Sequence, residues 1–203
     1  MMGKTEFPPS IKSRPVYGVL EPRVGSAHLV VADGEGAGAV VDLVALAPGM
    51  LGSCHILYAP GPNGTDDFAG LQGLGAAQVF RAPTIATVLP RLQRVLVDAH
   101  MGTQFYLAGS EGLIGQAERE IIATGFPYDA IQKEHRGSTV RRVQCVHCKG
   151  VTENVRTDPF QCSHCGLNLF VRDHYSRRLA AFQGVNIDAE EPGKVPAPVE
   201  RFA

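Results

Sequence analysis

The sequence contains no run of about 18 consecutive apolar residues, so it offers no candidate for a transmembrane helix. Its amino terminus, MMGKTEFPPSIKSRPVYG, has no apolar core of the kind that a secretory signal peptide needs. These two absences predict a soluble, cytoplasmic protein. In a reducing compartment, paired thiols are more often metal ligands or redox groups than structural disulfides.

Excess charge of one sign is also missing, because the formal net charge is only −1. The charges are nevertheless unevenly distributed. Residues 1–135 carry 9 Lys and Arg against 13 Asp and Glu, residues 136–182 carry 8 against 3, and residues 183–203 carry 2 against 4. The region from 136 to 182 is therefore basic, which suits an acidic protein partner or a nucleic acid.

Short apolar segments alternate with helical patterns from His28 onward. The segments HLVVAD, CHILYA, AAQVFRA, TQFYLAG and YDAIQKEHRG read as strands, and helical spacing follows the first, third and fourth of them. This alternation predicts an α/β fold with a doubly wound, mostly parallel sheet. We expect an extended arm at residues 1–25, the α/β domain at 26–137, a small zinc ribbon at 138–182 and a flexible tail at 183–203.

Four cysteines form two Cys-x-x-Cys pairs, at Cys145, Cys148, Cys162 and Cys165. Each pair can grip one side of a metal ion in a tight turn, and two pairs complete a tetrahedral four-sulfur site. Zinc is the favoured metal, and iron in a rubredoxin-like, redox-active site is the alternative. A zinc site would be structural, because it leaves no open position for catalysis.

Gly34, Gly36 and Gly38 follow the first strand and open a helix, as in turns that bind a pyrophosphate at a helix amino terminus. Gly109, Ser110 and Glu111 stand at the corresponding place after the fourth strand and complete a candidate NAD(P)H site. Asp33 and Glu35, however, place negative charge where the pyrophosphate would lie. The glycine-rich turn alone therefore does not decide whether the chain binds NAD(P)H.

The stretches VVADGEGAGAVVDLV and FYLAGSEGLIGQAEREIIATGFPYDAIQKEHRG resemble the nicotinamide-binding half of ferredoxin reductases. That resemblance implies a domain over roughly residues 25–136 with an NADPH site at its glycine-rich turns. Ala108 stands where that family has a cysteine near the nicotinamide, and no flavin-binding barrel precedes the first strand. The resemblance thus implies that the chain keeps the fold of these reductases but has lost part of their nicotinamide-binding site.

The stretch CSHCGLNLFVRDHYSRRLAAFQGV is similar to the small subunit of bacterial dimethylamine monooxygenase. This resemblance implies an accessory subunit of a multi-subunit, NADPH- and O2-dependent enzyme that converts dimethylamine to methylamine and formaldehyde. It also implies heme, flavin and an iron–sulfur centre, which we expect on the reductase and oxygenase partner subunits.

The most charged segment, RDHYSRR, supplies a candidate docking surface for an acidic partner, with Arg172, His174, Tyr175, Arg177 and Arg178 as its contact residues. The predicted function is to position the reductase against the oxygenase. The alternatives are an NAD(P)H-binding or rubredoxin-like electron-transfer protein, and a zinc-ribbon nucleic-acid binder.

Overall fold

The computed structural model describes residues 13–203, which divide into two compact units. One consists of residues 17–140 with residue 203, and the other of residues 13–16 and 141–202. Within the described residues, no helix is both long enough and apolar enough to span a membrane.

The first unit contains a five-stranded parallel sheet with the strand order β3-β2-β1-β4-β5. The strands are β1 (Ala27–Asp33), β2 (Cys54–Ala59), β3 (Gln78–Arg81), β4 (Thr103–Gly109) and β5 (Ile131–His135). The helices are α1 (Gly36–Leu46), α2 (Phe68–Gln72), α3 (Ile85–Val97) and α4 (Glu111–Ala123), with 3-10 turns at Pro48–Ser53 and Tyr128–Ala130. The predicted doubly wound parallel fold is thereby confirmed.

Both faces of this sheet are buried, because alternate strand residues enter two separate cores. Val30, Ile56 and Tyr106 pack with α1 on one face. Val31 and Leu57 pack on the other face with α3 and α4. Strands that are covered on both sides read as continuous apolar runs, which explains the composition of HLVVAD and CHILYA.

Local signals fix the starts of the two longest helices. The Thr84 hydroxyl accepts a hydrogen bond from the Thr87 amide before α3, and the Ser110 hydroxyl accepts one from the Leu113 amide before α4. Such caps satisfy amides that have no partner inside the helix. The short helix α2 was not predicted from the sequence, since its five residues are too few for a periodic pattern.

The segment before β1 lies along the edge strand β5. The Gly18 amide donates to the Lys133 carbonyl over 2.8 Å, and the Leu20 amide donates to the buried Glu134 carboxylate over 2.7 Å. The Leu20 side chain is buried in the core beside α1. The described part of the predicted arm is therefore extended, and it caps the sheet edge. Its residues 1–12 lie outside the described residues.

The second unit is built almost entirely of strands. They are β6 (Arg141–Cys145), β7 (Val151–Val155), β8 (Thr157–Asp158), β9 (Phe160–Gln161), β10 (Asn168–Ser176), β11 (Ala181–Asn186) and β12 (Val199–Glu200). Five of them form a sheet in the order β7-β6-β11-β10-β9, and β12 pairs with β8. A small core around Val143, Leu169 and Phe182 holds the sheet together.

This unit extends further than the predicted boundary at residue 182. Strand β11 runs to Asn186 in the sheet, and Phe202 is buried with only 7% of its surface exposed. The Arg141 guanidinium lies between the rings of Phe182 and Phe202, 3.9 and 4.3 Å from their centres. This stacking ties the end of the chain to the core, which differs from the flexible tail expected at 183–203. The sequence did not predict this contact, because Phe202 is a single aromatic residue at the end of a Pro- and Glu-rich stretch that has no apolar periodicity.

Candidate metal centre and the glycine-rich turns

The four paired cysteines lie at the tips of two hairpins. Cys145 ends β6, and the chain returns through Cys148 into the antiparallel β7. Cys162 follows β9, and the chain returns through Cys165 into the antiparallel β10. Each hairpin thus presents two thiols at its turn, as the sequence spacing predicts.

The two turns repeat the same backbone geometry. The amide four residues after the first cysteine donates back to its carbonyl over 3.0 Å, as Lys149 to Cys145 and Gly166 to Cys162. The amide of the first cysteine in turn donates over 2.9 Å to the carbonyl five residues on. Lys149 and Gly166 have φ values of 65° and 75°, in the left-handed region that favours glycine.

The Gly150 amide points to a cysteine sulfur, lying 3.4 Å from Cys148 Sγ, and the residue has a second role as well. A Cβ atom on Gly150 would lie 2.4 Å from Cγ of His164, so the residue leaves room for that imidazole ring. The His164 Nε2 atom lies 3.0 Å from the Val151 carbonyl oxygen, and both His164 and His147 are exposed. The histidines therefore lie around the four thiols and do not replace one of them.

The sulfur atoms are spaced as a tetrahedral site requires. Cys145 Sγ lies 3.9 Å from Cys165 Sγ, Cys148 Sγ lies 3.8 Å from Cys162 Sγ, and all four lie within 4.8 Å of one another. A metal–sulfur bond of about 2.3 Å gives a tetrahedron with an edge of about 3.8 Å. The donor set thus fits one thiophilic metal ion. Four protein ligands would leave that ion without an open position.

The surrounding groups act unequally on the thiols. Burial raises the pKa of Cys162. The opposing effect is larger, because hydrogen bonds from the backbone amides of Cys165 and His164 and from the neighbouring thiols lower that pKa, and the net shift is downward. The Leu167 amide lowers the pKa of Cys165, whereas burial and the other three sulfurs raise it, so the net shift is upward. Crowded thiols do not all ionise together unless a cation compensates their charge.

The glycines of the first turn serve close packing of the chain. Gly34 has a φ of 45°, and a Cβ atom on it would lie 2.8 Å from the Cα atom of Gly61. A Cβ atom on Gly36 would lie only 2.3 Å from the Ala108 carbonyl oxygen, because the start of α1 lies directly on β4. Gly38 has no such neighbour, since its nearest atom is Arg136 Nη1 at 3.4 Å.

The Asp33 side chain occupies the space between the two predicted cofactor-binding turns. Its carboxylate accepts hydrogen bonds from the Ser110 amide over 2.7 Å and from the Ser110 hydroxyl over 2.5 Å. A Cβ atom on Gly109 would lie 1.9 Å from Asp33 Oδ1. The remaining cleft between the turns has a volume of about 10 Å³, which is about the room that one water molecule needs.

Burial controls the ionisation of this carboxyl group. Desolvation raises the pKa of Asp33 to about 6, and the two hydrogen bonds from Ser110 offset only part of that rise. The third predicted residue of the second turn, Glu111, accepts a hydrogen bond from the Tyr17 hydroxyl over 2.9 Å. Gly34, Gly109 and Ser110 therefore meet at one edge of the sheet, but groups of the same chain already contact them.

The basic segment RDHYSRR lies on β10 and on the turn that follows it. Arg172, His174, Arg177 and Arg178 are exposed, as expected for a docking surface. Tyr175 is buried and packs edge-on against Phe182, with ring centres 5.0 Å apart. Its assignment to the docking surface is therefore wrong, because alternation along the strand turns its ring into the core.

Sequence reasoning missed a charge cluster beside this segment. The register of β10 against β11 shifts between Arg172 and Tyr175, which forms a bulge at Asp173. The Asp173 carboxylate accepts hydrogen bonds from Arg14 and from Arg141, the latter over 2.9 Å. The break in apolar alternation at Asp173 and His174 was the one local sign of this bulge.

Family models match both parts of the chain. The N-terminal domain model described as dimethylamine monooxygenase subunit DmmA-like matches residues 9–131, and the corresponding C-terminal domain model matches residues 142–185. A curated relative, the heme-dependent oxidative N-demethylase delta subunit of Ectopseudomonas mendocina (strain ymp), is 29% identical over 143 residues. That alignment covers 68% of this chain and 82% of the relative.

Among solved structures, the flavohem-like FAD/NAD-binding domain of a nitric oxide dioxygenase from Vibrio cholerae O1 biovar El Tor aligns with a TM-score of 0.43 at 17% identity. The alignment covers 61% of this chain and 55% of that one. A flavohemoglobin from Malassezia yamatoensis aligns with a TM-score of 0.39 at 11% identity, over 56% of this chain and 32% of that one. The chain thus spans about half the length of the first structure and a third of the second.

The packing role of the first turn predicts different outcomes for two neighbouring glycines. Gly36→Ala should destabilise the protein by about 1–3 kcal/mol or more, because its methyl group would meet the backbone of β4. Gly38→Ala is the matched control and should be neutral or stabilising by about 0.5–1 kcal/mol, since alanine favours helix and the Arg136 side chain can move. Denaturant unfolding of both variants measures the difference. Equal, small effects would contradict the packing role of Gly36.

Proposed function

Because both parts of the chain match its family models, this protein belongs to the DmmA-like family, and from that membership we propose that it is an accessory subunit of a multi-subunit oxidative N-demethylase. The proposed enzyme is heme-dependent, uses NADPH and O2, and removes a methyl group from dimethylamine or a related secondary amine. The similarity to the delta subunit of the heme-dependent oxidative N-demethylase of Ectopseudomonas mendocina supports this proposal. The task of this chain is to hold the reductase and the heme-containing oxygenase subunits in position.

The observation that carries the accessory role is the Asp33–Ser110 contact. A dinucleotide pyrophosphate needs backbone amides at a helix amino terminus and a surface without negative charge. Here the Ser110 amide and hydroxyl already donate to the buried Asp33 carboxylate, which places a carboxyl group of the same chain between the two turns. NADPH is therefore oxidised on another subunit, and heme, flavin and the iron–sulfur centre also belong to partners.

Zinc is the metal that we propose for the four-cysteine site. Cys145, Cys148, Cys162 and Cys165 would hold it as thiolates, and a four-coordinate zinc would supply structural cross-linking between the two hairpins. Cys145 and Cys162 are buried in the core of the strand-rich unit, next to Val143 and Phe160. The metal site and that small apolar core would therefore stabilise the same unit together.

The exposed residues Arg172, His174, Arg177 and Arg178 form the proposed docking surface. The one acidic residue within this segment, Asp173, accepts hydrogen bonds from Arg14 and Arg141, so its charge is compensated within the unit. The surface is therefore basic, and it suits an acidic face of the reductase or the oxygenase. We also propose that the assembly is cytoplasmic.

Binding of NADPH tests the accessory role. We expect no saturable binding by the purified chain up to about 1 mM NADPH, the upper end of ordinary KM values. The reductase subunit of the same assembly is the positive control, and isothermal titration calorimetry is the measurement. Saturable binding to this chain in the micromolar range would contradict the proposal and favour the reductase-module alternative.

The docking surface predicts a charge-dependent association. Arg178→Glu should weaken binding to the partner subunits about tenfold, because it places a negative charge opposite an acidic face. Lys194→Glu is the matched control, since Lys194 is an exposed cation in the same unit but outside the segment. Biolayer interferometry at two salt concentrations measures both variants. Equal affinities for the two variants would contradict docking through this segment.

A further inference from the structure

A second cavity lies at the opposite edge of the parallel sheet, where the strands begin. It has a volume of about 650 Å³ and is lined by the first residues of β1, β2, β3 and β4 together with the last turns of α3. Its apolar wall includes Ala27, Leu29 and Val95. Ligand pockets of small molecules typically have volumes of about 300–1,000 Å³ and a mostly apolar lining, so this cavity has the size of a binding site.

The charged lining of this cavity is mainly basic. Arg91 and Arg94 enter from α3, and three histidines also line the cavity, His28, His55 and His100. Asp98 is the single acidic residue in the lining. The cavity wall is all within the α/β unit of residues 17–140, where acidic residues otherwise outnumber basic ones. Cations concentrated in a concave, partly apolar site attract anions more strongly than the same charges on a flat surface.

Two buried nitrogen atoms in this lining lack hydrogen-bond partners. Among residues 13–203, Nε of Arg91 and Nε2 of His55 are both buried and neither has a partner. A buried donor without an acceptor costs free energy, and each such group in a native protein calls for an explanation. An acceptor supplied by a ligand would satisfy the Arg91 Nε–H group, and also His55 Nε2 when that nitrogen carries the ring proton.

The surroundings favour the neutral form of the His55 ring and fix the position of the Arg91 side chain. Burial lowers the pKa of His55, and the positive charge of Arg91 lowers it further. The Arg91 guanidinium also lies over the Phe80 ring, 5.3 Å from its centre, which holds the side chain against the wall. A bound anion would offset the repulsion between Arg91 and a protonated His55.

We propose that this cavity binds a small organic anion, with its carboxylate or phosphate group held by Arg91, Arg94 and His55 and its compact apolar part against Leu29 and Val95. The arginines supply charge-assisted hydrogen bonds to the oxyanion. The site lies at the amino ends of the strands, away from the edge where Asp33 closes the cleft. It thus adds a ligand site to the accessory role and does not depend on it.

Titration with simple anions, followed by NMR of the full chain, tests this proposal. Inorganic phosphate and acetate are the two probes, at an ionic strength matched with sodium chloride, and they distinguish a phosphorylated ligand from a carboxylate. We expect one of them to shift the ring signals of His55 and the Arg91 Nε–H signal saturably. The exposed His174 should not follow the same curve.

Three variants make the outcome decisive. Arg91→Met should weaken the binding about tenfold or more, because it removes a charge-assisted hydrogen bond. Arg94→Gln should also weaken the binding, because it removes a second positive charge from the site. Arg94 is exposed, so this substitution should not unfold the protein. Arg119→Met on α4, outside the cavity, is the matched control and should bind as the unaltered protein does.

The proposal is overturned if neither probe shifts His55 saturably, or if His174 follows the same curve as His55. It is equally overturned if the Arg119 control loses as much affinity as the Arg91 and Arg94 variants. None of these results bears on NADPH binding or on subunit docking, so this inference and the proposed function fail separately.

Discussion

The proposed role of the α/β unit depends on the contact between the Asp33 carboxylate and Ser110. This contact joins the end of β1 to the start of α4 and uses the amide that a nucleotide phosphate would need. Two close backbone contacts belong to the same arrangement. Helix α1 approaches β4 at Gly36, and the glycine-rich turn approaches Gly61 at Gly34. In the proposed account, this packing leaves no dinucleotide site at that edge of the sheet.

The strand-rich unit depends on a second constraint, the convergence of four thiols. Its apolar core is small, and two of its buried members are the cysteines Cys145 and Cys162. A metal ion there would stabilise the hairpin tips, while the stacking of Arg141 between Phe182 and Phe202 holds the end of the chain. The bulge at Asp173 then leaves the flanking Arg172 and His174 exposed. The unit thus presents exposed basic residues on the same sheet as the four thiols, which suits the proposed accessory role.

Strong local patterns made the sheet, the helix caps and the family predictable from the sequence. Continuous apolar strands, Ser110 before α4 and the spacing of the cysteines each carry a short-range signal, and the DmmA-like family assignment is confirmed. Features that depend on distant partners could not be read in this way. The burial of Phe202 and the link from Arg14 to Asp173 arise from tertiary packing. The cavity around Arg91 and His55 likewise joins residues from separate strands and a helix.

Metal content and visible absorption of the protein, purified without added metal, test the central claim most directly. The account predicts one zinc per chain and no visible colour, with the metal lost in Cys162→Ser and retained in Cys54→Ala, whose thiol is buried away from the cluster. That result would leave the four cysteines structural and the subunit a positioning element. One iron per chain, with an absorption band that bleaches on reduction, would instead make the cysteines a redox site and contradict the account.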